Sequence, residues 1–280
     1  MAINPGVVGK PTAPQSHEYT WKDTVLYALG VGAKADELDT LFEGRGPKVL
    51  PTFAVVPTFF ANIAAMSEIG GSLLNVVHGG QKIRVHRPIP PAGTLTTVAT
   101  VTGLYDIIKM AQAIVSTRTT DAKGELLFET EWSVIYRGEG GFGGSRPPEN
   151  VKVAPPARPS DFRVEETTSE TQALLYRLSG DLNPLHADPA IGQLAGFGKP
   201  ILHGLCTYGF VGRAVVKSLC GGDGDKLRSL SAQFRKPVWP GETLVTEGWV
   251  IEPGRAVLRC TAKERNEHVI TNSIAEVASS

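Results

Sequence analysis

Residues 176–210 read YRLSGDLNPLHADPAIGQLAGFGKPILHGLCTYGF, and two parts of this stretch carry chemistry. In the first part, SGDLNPLH, an acid, an amide and an imidazole stand within six residues, at Asp181, Asn183 and His186. On one rigid loop such a set can hold a single water molecule and take its proton. In the second part, Gly204 opens an apolar helical pattern, and a helix N-terminus offers N–H groups to an oxygen that gains negative charge. The stretch therefore predicts addition of water, or its removal, next to a carbonyl group.

The same stretch resembles a known motif. Tyr176, the triplet 179–181 and the run 183–186 are similar to the hydratase 2 motif of the MaoC-like (R)-specific enoyl-CoA hydratases, and KPILHGLCTYGF downstream resembles the same family. The resemblance covers nearly the whole chain and is closest to the two-domain type found in peroxisomal multifunctional enzyme type 2 and bacterial relatives. Gly192 stands where that family usually has Ala or Ser, so we expect a slightly looser helix there without loss of chemistry.

The resemblance implies an α+β fold, a duplicated hot-dog in which an antiparallel sheet wraps around a central helix in each unit. It also implies reversible hydration of a trans-2-enoyl-CoA to a (3R)-3-hydroxyacyl-CoA in fatty-acyl metabolism. Asp181, Asn183 and His186 would hold the water, and the Gly204 N–H would bind the thioester oxygen. No metal or redox cofactor is expected, since coenzyme A enters as part of the substrate, and we expect a homodimer.

Other functions stay open on the residues alone. A 3-hydroxyacyl-carrier-protein dehydratase would use the same chemistry on another carrier, and a catalytically silent acyl-thioester-binding subunit would use none. The complete set Asp181, Asn183 and His186 argues against the silent subunit, and against a thioesterase on the same frame. Asp, Asn and Pro also form ordinary turns, and a lone His is more often structural, so the spacing and the resemblance together carry the catalytic interpretation.

Composition excludes several classes of partner and compartment. With 280 residues, 41% apolar residues and a net charge of zero, the chain can bury a core but has no electrostatic footprint for nucleic acid or an anionic membrane. Three cysteines without CxxC spacing favour a reducing compartment. No secretory signal or long apolar span is evident, and the C-terminal ASS is not a peroxisomal S-K-L address. We therefore expect a cytoplasmic protein of bacterial type, or a peroxisomal one if the chain is a fragment of a eukaryotic multifunctional enzyme.

The two halves of the chain repeat at a fixed offset. Tyr176 and Pro237 each lie 149 residues after a counterpart, Tyr27 and Pro88, in similar local sequence. Matches near both ends of a half without slippage indicate a duplicated unit. We predict units at 1–140 and 159–280, joined by a Gly/Pro-rich linker at 141–158 that is too irregular to be a phosphate-binding loop.

Each unit is predicted to contain one long helix followed by a meander of strands. In the second unit, apolar residues recur at helical spacing from Leu205 to Leu219, and Gly221 and Gly222 stop the pattern. Alternating patterns predict strands at 82–86, 95–104, 111–118 and 126–136 in the first unit, and at 229–235, 243–251, 256–263 and 269–277 in the second.

The first unit keeps the frame but not the chemistry. The counterparts of Asp181, Asn183 and His186 are Gly32, Lys34 and Glu37, and Val55 replaces Gly204. Pro57 and the Gly70–Gly71 pair should shorten its central helix. In the family such a helix leaves room for a bulky acyl tail, so we predict a non-catalytic first unit that holds the tail while the second unit holds the reacting carbons.

Further residues are candidates for binding the substrate. The HGG run after the first central helix could face the ligand between the units, and several cations could meet the phosphates of coenzyme A, although a solvated charge is the commoner role for each singly. His203 is expected to bond backbone at its turn, and Asp188 to cap a helix that starts at Pro189. The candidate substrate-binding residues are His78, Gly79, Gly80, Arg84, Lys199, Arg235 and Lys236.

Overall fold

The fold is a large antiparallel sheet with helices packed on it, seen in a computed structural model that describes residues 2–72, 76–149 and 152–278. Every strand pairing in the sheet is antiparallel. The strands are β1 Gln15–Tyr19, β2 Val76–Val85, β3 Gly93–Ile107, β4 Met110–Thr120, β5 Leu126–Arg137, β6 Phe162–Thr167, β7 Leu227–Phe234, β8 Thr243–Glu252, β9 Arg255–Ala262 and β10 Glu267–Val277. The helices are α1 Trp21–Gly30, α2 Leu38–Leu41, α3 Phe59–Ile69, α4 Gln172–Tyr176, α5 Pro189–Leu194 and α6 Gly204–Leu219.

The order of the strands is a mirror repeat. The ten strands run β1-β3-β4-β5-β2-β7-β10-β9-β8-β6, so β2 and β7 meet in the middle and each unit extends outward in the same sequence order. The central pairing runs from Gly80 opposite Gln233 to Arg84 opposite Ser229. The duplication predicted from the 149-residue offset is confirmed, and the two units share one continuous sheet.

The central helices differ in length, as predicted. α6 has 16 residues, whereas α3 has 11. Residues Pro51–Val55 form a tight 3-10 turn, Pro57 lies in the following turn, and α3 starts only at Phe59 because proline cannot donate the backbone bond that a helix interior needs. Gly70 ends α3 with a φ of 80°, a conformation that favours glycine.

α6 lies close against the first unit because it carries small residues there. A Cβ atom placed on Gly209 would stand 2.3 Å from the Val31 side chain, and one on Gly212 would stand 2.5 Å from that of Thr52. Both are steric overlaps, so the close approach of α6 to the first unit depends on these two glycines.

The predicted strands are all present, but two further strands were not predicted. β1 and β6 are the edges of the sheet, and among the described strands β1 pairs with β3 and β6 with β8. They are five and six residues long and alternate in burial, but most of their residues are polar, so the sequence shows only a weak hydrophobic alternation. The predicted cap is confirmed: the Asp188 carboxylate accepts a hydrogen bond of 2.8 Å from the Ala190 N–H at the start of α5.

The segment between β5 and β6 has no helix or strand among residues 138–149 and 152–161, the part of it that the structure describes. Its beginning is tied to the β3–β4 hairpin, because the Asp106 carboxylate accepts hydrogen bonds of 2.9 Å from the N–H groups of Gly141 and Gly143. These bonds lower the pKa of Asp106. The boundaries 1–140, 141–158 and 159–280 stay a prediction.

One helical stretch, Pro51–Ile69, is long and apolar enough to cross a membrane by length and composition, and 61% of its most apolar window is buried inside the protein. That burial is typical of a core helix. The three cysteines are also buried and free. Cys206, predicted to be a buried apolar residue, lies in α6 with its thiol 3.2 Å from the Gly30 carbonyl oxygen.

Candidate active site

The loop that carries Asp181 and Asn183 is fixed by its own side chains. The Asn183 N–H donates to the Asp181 carboxylate over 3.2 Å, and the Leu185 N–H donates to the Asn183 side-chain oxygen over 3.0 Å. Pro184 then begins a 3-10 turn that ends at His186. Since the Asn183 oxygen caps this turn, its exposed amide nitrogen is the part left to donate to a ligand.

His186 presents one basic nitrogen to the site. Its Nδ1 lies 2.8 Å from the Ile201 carbonyl oxygen, and because a carbonyl only accepts, Nδ1 carries the proton and Nε2 keeps its lone pair. The residue is 9% exposed. Burial lowers the pKa of His186 below its ordinary 6.5, against the opposing effects of the Ile201 carbonyl and the Asp181 carboxylate. The imidazole is therefore neutral near pH 7 and suited to accept a proton.

His203 lies directly beside this pair. Its Nε2 donates to the Asp181 backbone oxygen over 3.1 Å, so it bonds backbone as predicted but on the Asp181 loop and not at its own turn. Its ring stacks on His186 with 3.6 Å between centroids. Asp181, His186 and His203 each place one potential metal-ligand atom within 4.8 Å of the others. Each imidazole already uses one nitrogen on a backbone carbonyl. The sequence predicted that the site works without a metal, and this stays a prediction.

The N-terminus of α6 begins at Gly204, as predicted. The Cys206 and Thr207 N–H groups bond to the His203 carbonyl, so the Gly204 N–H precedes the hydrogen-bonded turn and has no acceptor within the helix. A Cβ atom on Gly204 would lie 3.5 Å from the Phe234 ring, an ordinary contact. Packing within the protein therefore does not require glycine here, in contrast to Gly209 in the same helix.

A small cavity of about 10 Å³ lies where the two units meet. Its volume corresponds to one water molecule. Ser179 and Asp181 give it a polar side, and the Ser179 hydroxyl is buried without a hydrogen-bond partner among the described residues. The remaining lining residues are Val55, Val56, Phe59, Tyr176 and Leu205. The cavity does not hold an acyl tail, so tail binding here would require side chains of the first unit to move.

Aromatic contacts hold the HGG run, residues 78–80, close to the start of α6. His78 stacks on Trp132 with 4.5 Å between centroids and meets Phe234, the neighbour of Gly204, at 5.0 Å. Burial lowers the pKa of His78 to about 4. The register of β2 against β5 shifts between His78 and Gly80, so Gly79 is the extra residue of an irregularity at the boundary between the units.

The predicted cations fall into two groups. Lys199, Arg235 and Lys236 are exposed on two segments that run side by side, joined where the Leu202 N–H donates to the Val238 oxygen over 2.7 Å. Arg84 lies near the far end of the β2–β7 pairing and contacts Glu276 at 3.9 Å. Lys199 lies in the segment that leads to Gly204, and Arg235 and Lys236 directly follow Phe234, whose ring faces Gly204. Arg84 has no such link to the start of α6 among the described residues.

Two features of the site region were not predicted. Gly192, expected to loosen a helix, is buried, and a Cβ atom there would stand 2.5 Å from the Lys199 backbone. The glycine lets α5 contact the segment that leads to Ile201 and hence to His186.

Arg213 of α6 forms ion pairs that link the two units: it pairs with Glu37 and with Glu166, the latter at 3.0 Å. Their separation along the chain left no sequence signal for this pairing.

Comparison with known proteins identifies the two units separately. A family model described as MFE-2 hydratase 2 N-terminal domain matches residues 17–138, and one described as MaoC like domain matches residues 151–273. The 3-hydroxyacyl-thioester dehydratase Y of Mycobacterium tuberculosis is 47% identical over 92% of this chain and 91% of that protein. The peroxisomal enoyl-CoA hydratase 2 of Arabidopsis thaliana is 39% identical over 92% of this chain and 90% of that protein.

Solved structures give the same answer for the fold. A MaoC-like dehydratase from Phytophthora capsici superposes with a TM-score of 0.89 at 30% identity, covering 99% of this chain and 98% of that one. A conserved hypothetical protein from Mycobacterium tuberculosis, described as a double hot-dog fold, superposes with a TM-score of 0.58 at 14% identity, covering 96% of each chain. The chain is a duplicated hot-dog protein and belongs to the MaoC-like hydratase 2 family.

Proposed function

We propose that this chain is a hydro-lyase that reversibly hydrates trans-2-enoyl-CoA to (3R)-3-hydroxyacyl-CoA. The observation that carries the proposal is the proximity of the Asp181 carboxylate, the neutral His186 imidazole and the start of α6 at Gly204. One relative is named an enoyl-CoA hydratase 2 and another a 3-hydroxyacyl-thioester dehydratase, which are the two directions of one reaction.

In the proposed hydration, one water molecule bound by Asp181, Asn183 and His186 attacks C3 of the enoyl thioester. The oxygen–C3 bond forms while His186 Nε2 or the Asp181 carboxylate takes a proton from the water. Electrons of the double bond move toward the thioester oxygen, where the Gly204 N–H and the helix dipole stabilise the negative charge. The protonated group then gives this proton to C2 on the same face, which restores the thioester, frees the base and completes the addition of one water molecule.

The rest of the substrate would lie along the boundary between the units. We expect Lys199, Arg235 and Lys236 to meet the phosphates of coenzyme A, and His78 with its two glycines to flank the thioester end. The acyl tail would extend toward α3 of the first unit. A homodimer without metal or redox cofactor is part of the proposal, as is a cytoplasmic or peroxisomal location.

Hydration of crotonyl-CoA tests the proposal directly through loss of the ultraviolet absorbance of the enoyl thioester. A strictly (3S)-specific dehydrogenase coupled to the product should form no NADH, whereas a (3R)-specific one should. Turnover should survive EDTA treatment. If crotonyl-CoA binds but its absorbance does not change, the chain is a silent acyl-thioester-binding subunit instead.

A carrier-protein dehydratase is the second candidate, because the most similar relative reported above is named for a thioester without a stated carrier. Crotonyl groups on coenzyme A and on acyl-carrier protein separate the two. A much higher kcat/KM on the carrier protein would favour the dehydratase, and would also argue against phosphate contacts by Lys199, Arg235 and Lys236.

A further inference from the structure

His203 touches three parts of the candidate active site at once. Its Nε2–H donates to the Asp181 backbone oxygen over 3.1 Å, and its ring lies 3.6 Å from the His186 ring at an interplanar angle of 25°. Its own carbonyl accepts the first two backbone bonds of α6, next to Gly204. The loop, the base and the helix N-terminus therefore meet at one residue.

The contacts fix the protonation of His203. A carbonyl oxygen accepts only, so Nε2 carries the proton and Nδ1 has the lone pair. Nδ1 is buried without a hydrogen-bond partner among the described residues, and the residue is 2% exposed. Burial, with a smaller contribution from His186, lowers the pKa of His203 to about 2. Because its lone pair on Nδ1 is buried away from any described partner, this imidazole is poorly suited to serve as the base.

Helix capping does not explain the side chain. His203 is the N-cap residue of α6, yet its side chain makes no capping hydrogen bond, and the backbone carbonyl alone performs that role. The ring is instead held between His186 and Tyr176, whose ring centroid is 4.9 Å away. A residue selected only to start a helix would not need an imidazole in this place.

We propose that His203 is a positioning residue for the hydration: its N–H holds the Asp181 loop, and its ring covers one face of His186 and fixes that base beside Gly204. This inference rests on the proposed function. The titratable groups that face the two stacked rings are Asp181, Arg177 and Tyr176.

Two variants separate the two contacts. His203→Gln keeps an N–H donor for the Asp181 oxygen but removes the ring, and His203→Phe keeps a ring against His186 but removes the donor. Each should lower kcat on crotonyl-CoA by about 10–100-fold with little change in KM, since a misplaced catalytic group costs about this much. His86→Gln is the matched control, because His86 contacts Glu129 on the sheet away from the site, and its kcat should equal that of the wild type.

The pH dependence distinguishes positioning from mere stability. In His203→Gln, water reaches the uncovered face of His186 and should raise the pKa of that imidazole. The acid limb of the pH profile, where kcat/KM falls as the pH drops, should therefore move to higher pH. In His203→Phe the limb should stay where it is in the wild type. Wild-type kcat and an unmoved limb in both folded variants would overturn the inference.

Nitrogen NMR of the wild-type histidines gives a test that needs no folded variant and no activity. His203 should carry its proton on Nε2, as the bond to the Asp181 backbone oxygen requires, and a neutral ring with its proton on Nδ1 would overturn the inference. A wild-type protein inactive on crotonyl-CoA would instead refute the proposed function, and the NMR result would stand independently.

Discussion

The loops that lead to Glu37 and to His186 occupy equivalent places in the two units, one just before α2 and the other just before α5. Glu37 accepts the Lys34 N–H over 3.0 Å and pairs through both oxygens with Arg213 of α6. His186 instead bonds to backbone through Nδ1, and Nε2 makes no such bond within the part of the chain that the structure describes. The same position in the fold is an anchor in one unit and, in the function that we propose, a base in the other.

This difference shows what the duplication makes possible. Arg213 is 5% exposed in its side chain, so the first-unit loop uses its carboxylate to neutralise a buried charge of the second unit. The second-unit loop is held by bonds among its own residues and by His203. Its reactive groups are therefore available to a ligand while the first unit holds the helix behind them.

The sharpest test of the comparison removes the chemistry of the second loop. Asp181→Asn and His186→Ala should each lower kcat on crotonyl-CoA by about 10²–10⁴-fold, the range for a positioned acid or base. Steady-state kinetics measures the loss, and circular dichroism should show that both variants stay folded. Near-normal turnover in either variant would remove that residue from the mechanism.

Two glycines of α6 provide a second test. Gly204→Ala should fold normally, since its Cβ meets only Phe234 at 3.5 Å, but should lower kcat about tenfold or more by crowding the thioester oxygen. Gly209→Ala places a Cβ 2.3 Å from the Val31 side chain and should cost about 1–3 kcal/mol of stability. Thermal unfolding and kinetics on both proteins check the contrast. A destabilised Gly204→Ala of normal turnover would contradict it.

Glu37→Gln tests the anchor in the first unit. Arg213 keeps its contact with Glu166 in this variant, so we expect a loss of up to about 3 kcal/mol, less than for a buried charge with no partner. Turnover of the folded protein should change little. Urea unfolding measures the first effect, and loss of turnover without loss of stability would show that the site extends into the first unit.

The arrangement of helices and strands was predictable because both units show the same hydrophobic pattern. The helix over 205–219 and eight strands follow from local periodicity, and the fixed offset implies the pairing of two units. The edge strands β1 and β6 were missed because short strands paired on one side carry a weak pattern. The interruption of the first central helix was predicted because Pro57 and Gly70 act locally.

Contacts made through space could not be predicted in this way. His203 was expected to bond backbone, but its stacking on His186 depends on how the chain returns from Ile201 to α6. The pairing of Glu37 with Arg213 joins residues that no sequence motif connects. Glycine is likewise required at position 192 because the Lys199 backbone lies close to it in space.

The pH dependence should differ between activity and stability. Because burial lowers the pKa of His186, it stays neutral at and somewhat below pH 6.5, so the acid limb of kcat/KM should lie below that value. His78 in the first unit, with a pKa of about 4, and His203, with a pKa of about 2, are depressed as well. The unfolded state then binds more protons, so stability should fall as the pH drops from 6.5 toward 4.

A variant of the first unit can show how much of this acid-induced loss of stability comes from that unit. His78→Gln should reduce the acid-induced fall in melting temperature without moving the acid limb of kcat/KM. A limb that moves with His78→Gln would place that imidazole in the reaction and contradict the division of roles.

The acyl tail, we predict, extends toward α3 of the first unit. Phe59 starts that helix, lines the small cavity beside Asp181 and stacks edge-on with Phe60, itself 58% exposed. Since the cavity holds about one water molecule, the tail must displace these side chains or stop before them. Each buried methylene contributes about 0.8 kcal/mol, so a tail that enters should gain about fourfold in kcat/KM per added carbon.

We therefore expect kcat/KM to rise from C4 toward C8 and longer enoyl-CoA, and Phe59→Ala to steepen the rise while leaving the rate on C4 within about threefold. Leu194→Ala is the matched control, since Leu194 is 85% exposed at the end of α5 and should leave the profile unchanged. A maximum at C4 with a steep fall beyond C6, unchanged in Phe59→Ala, would mean that the side chains of the first unit simply fill its core. The tail would then have to leave the site by another route, and the catalytic role of the second unit would be unaffected.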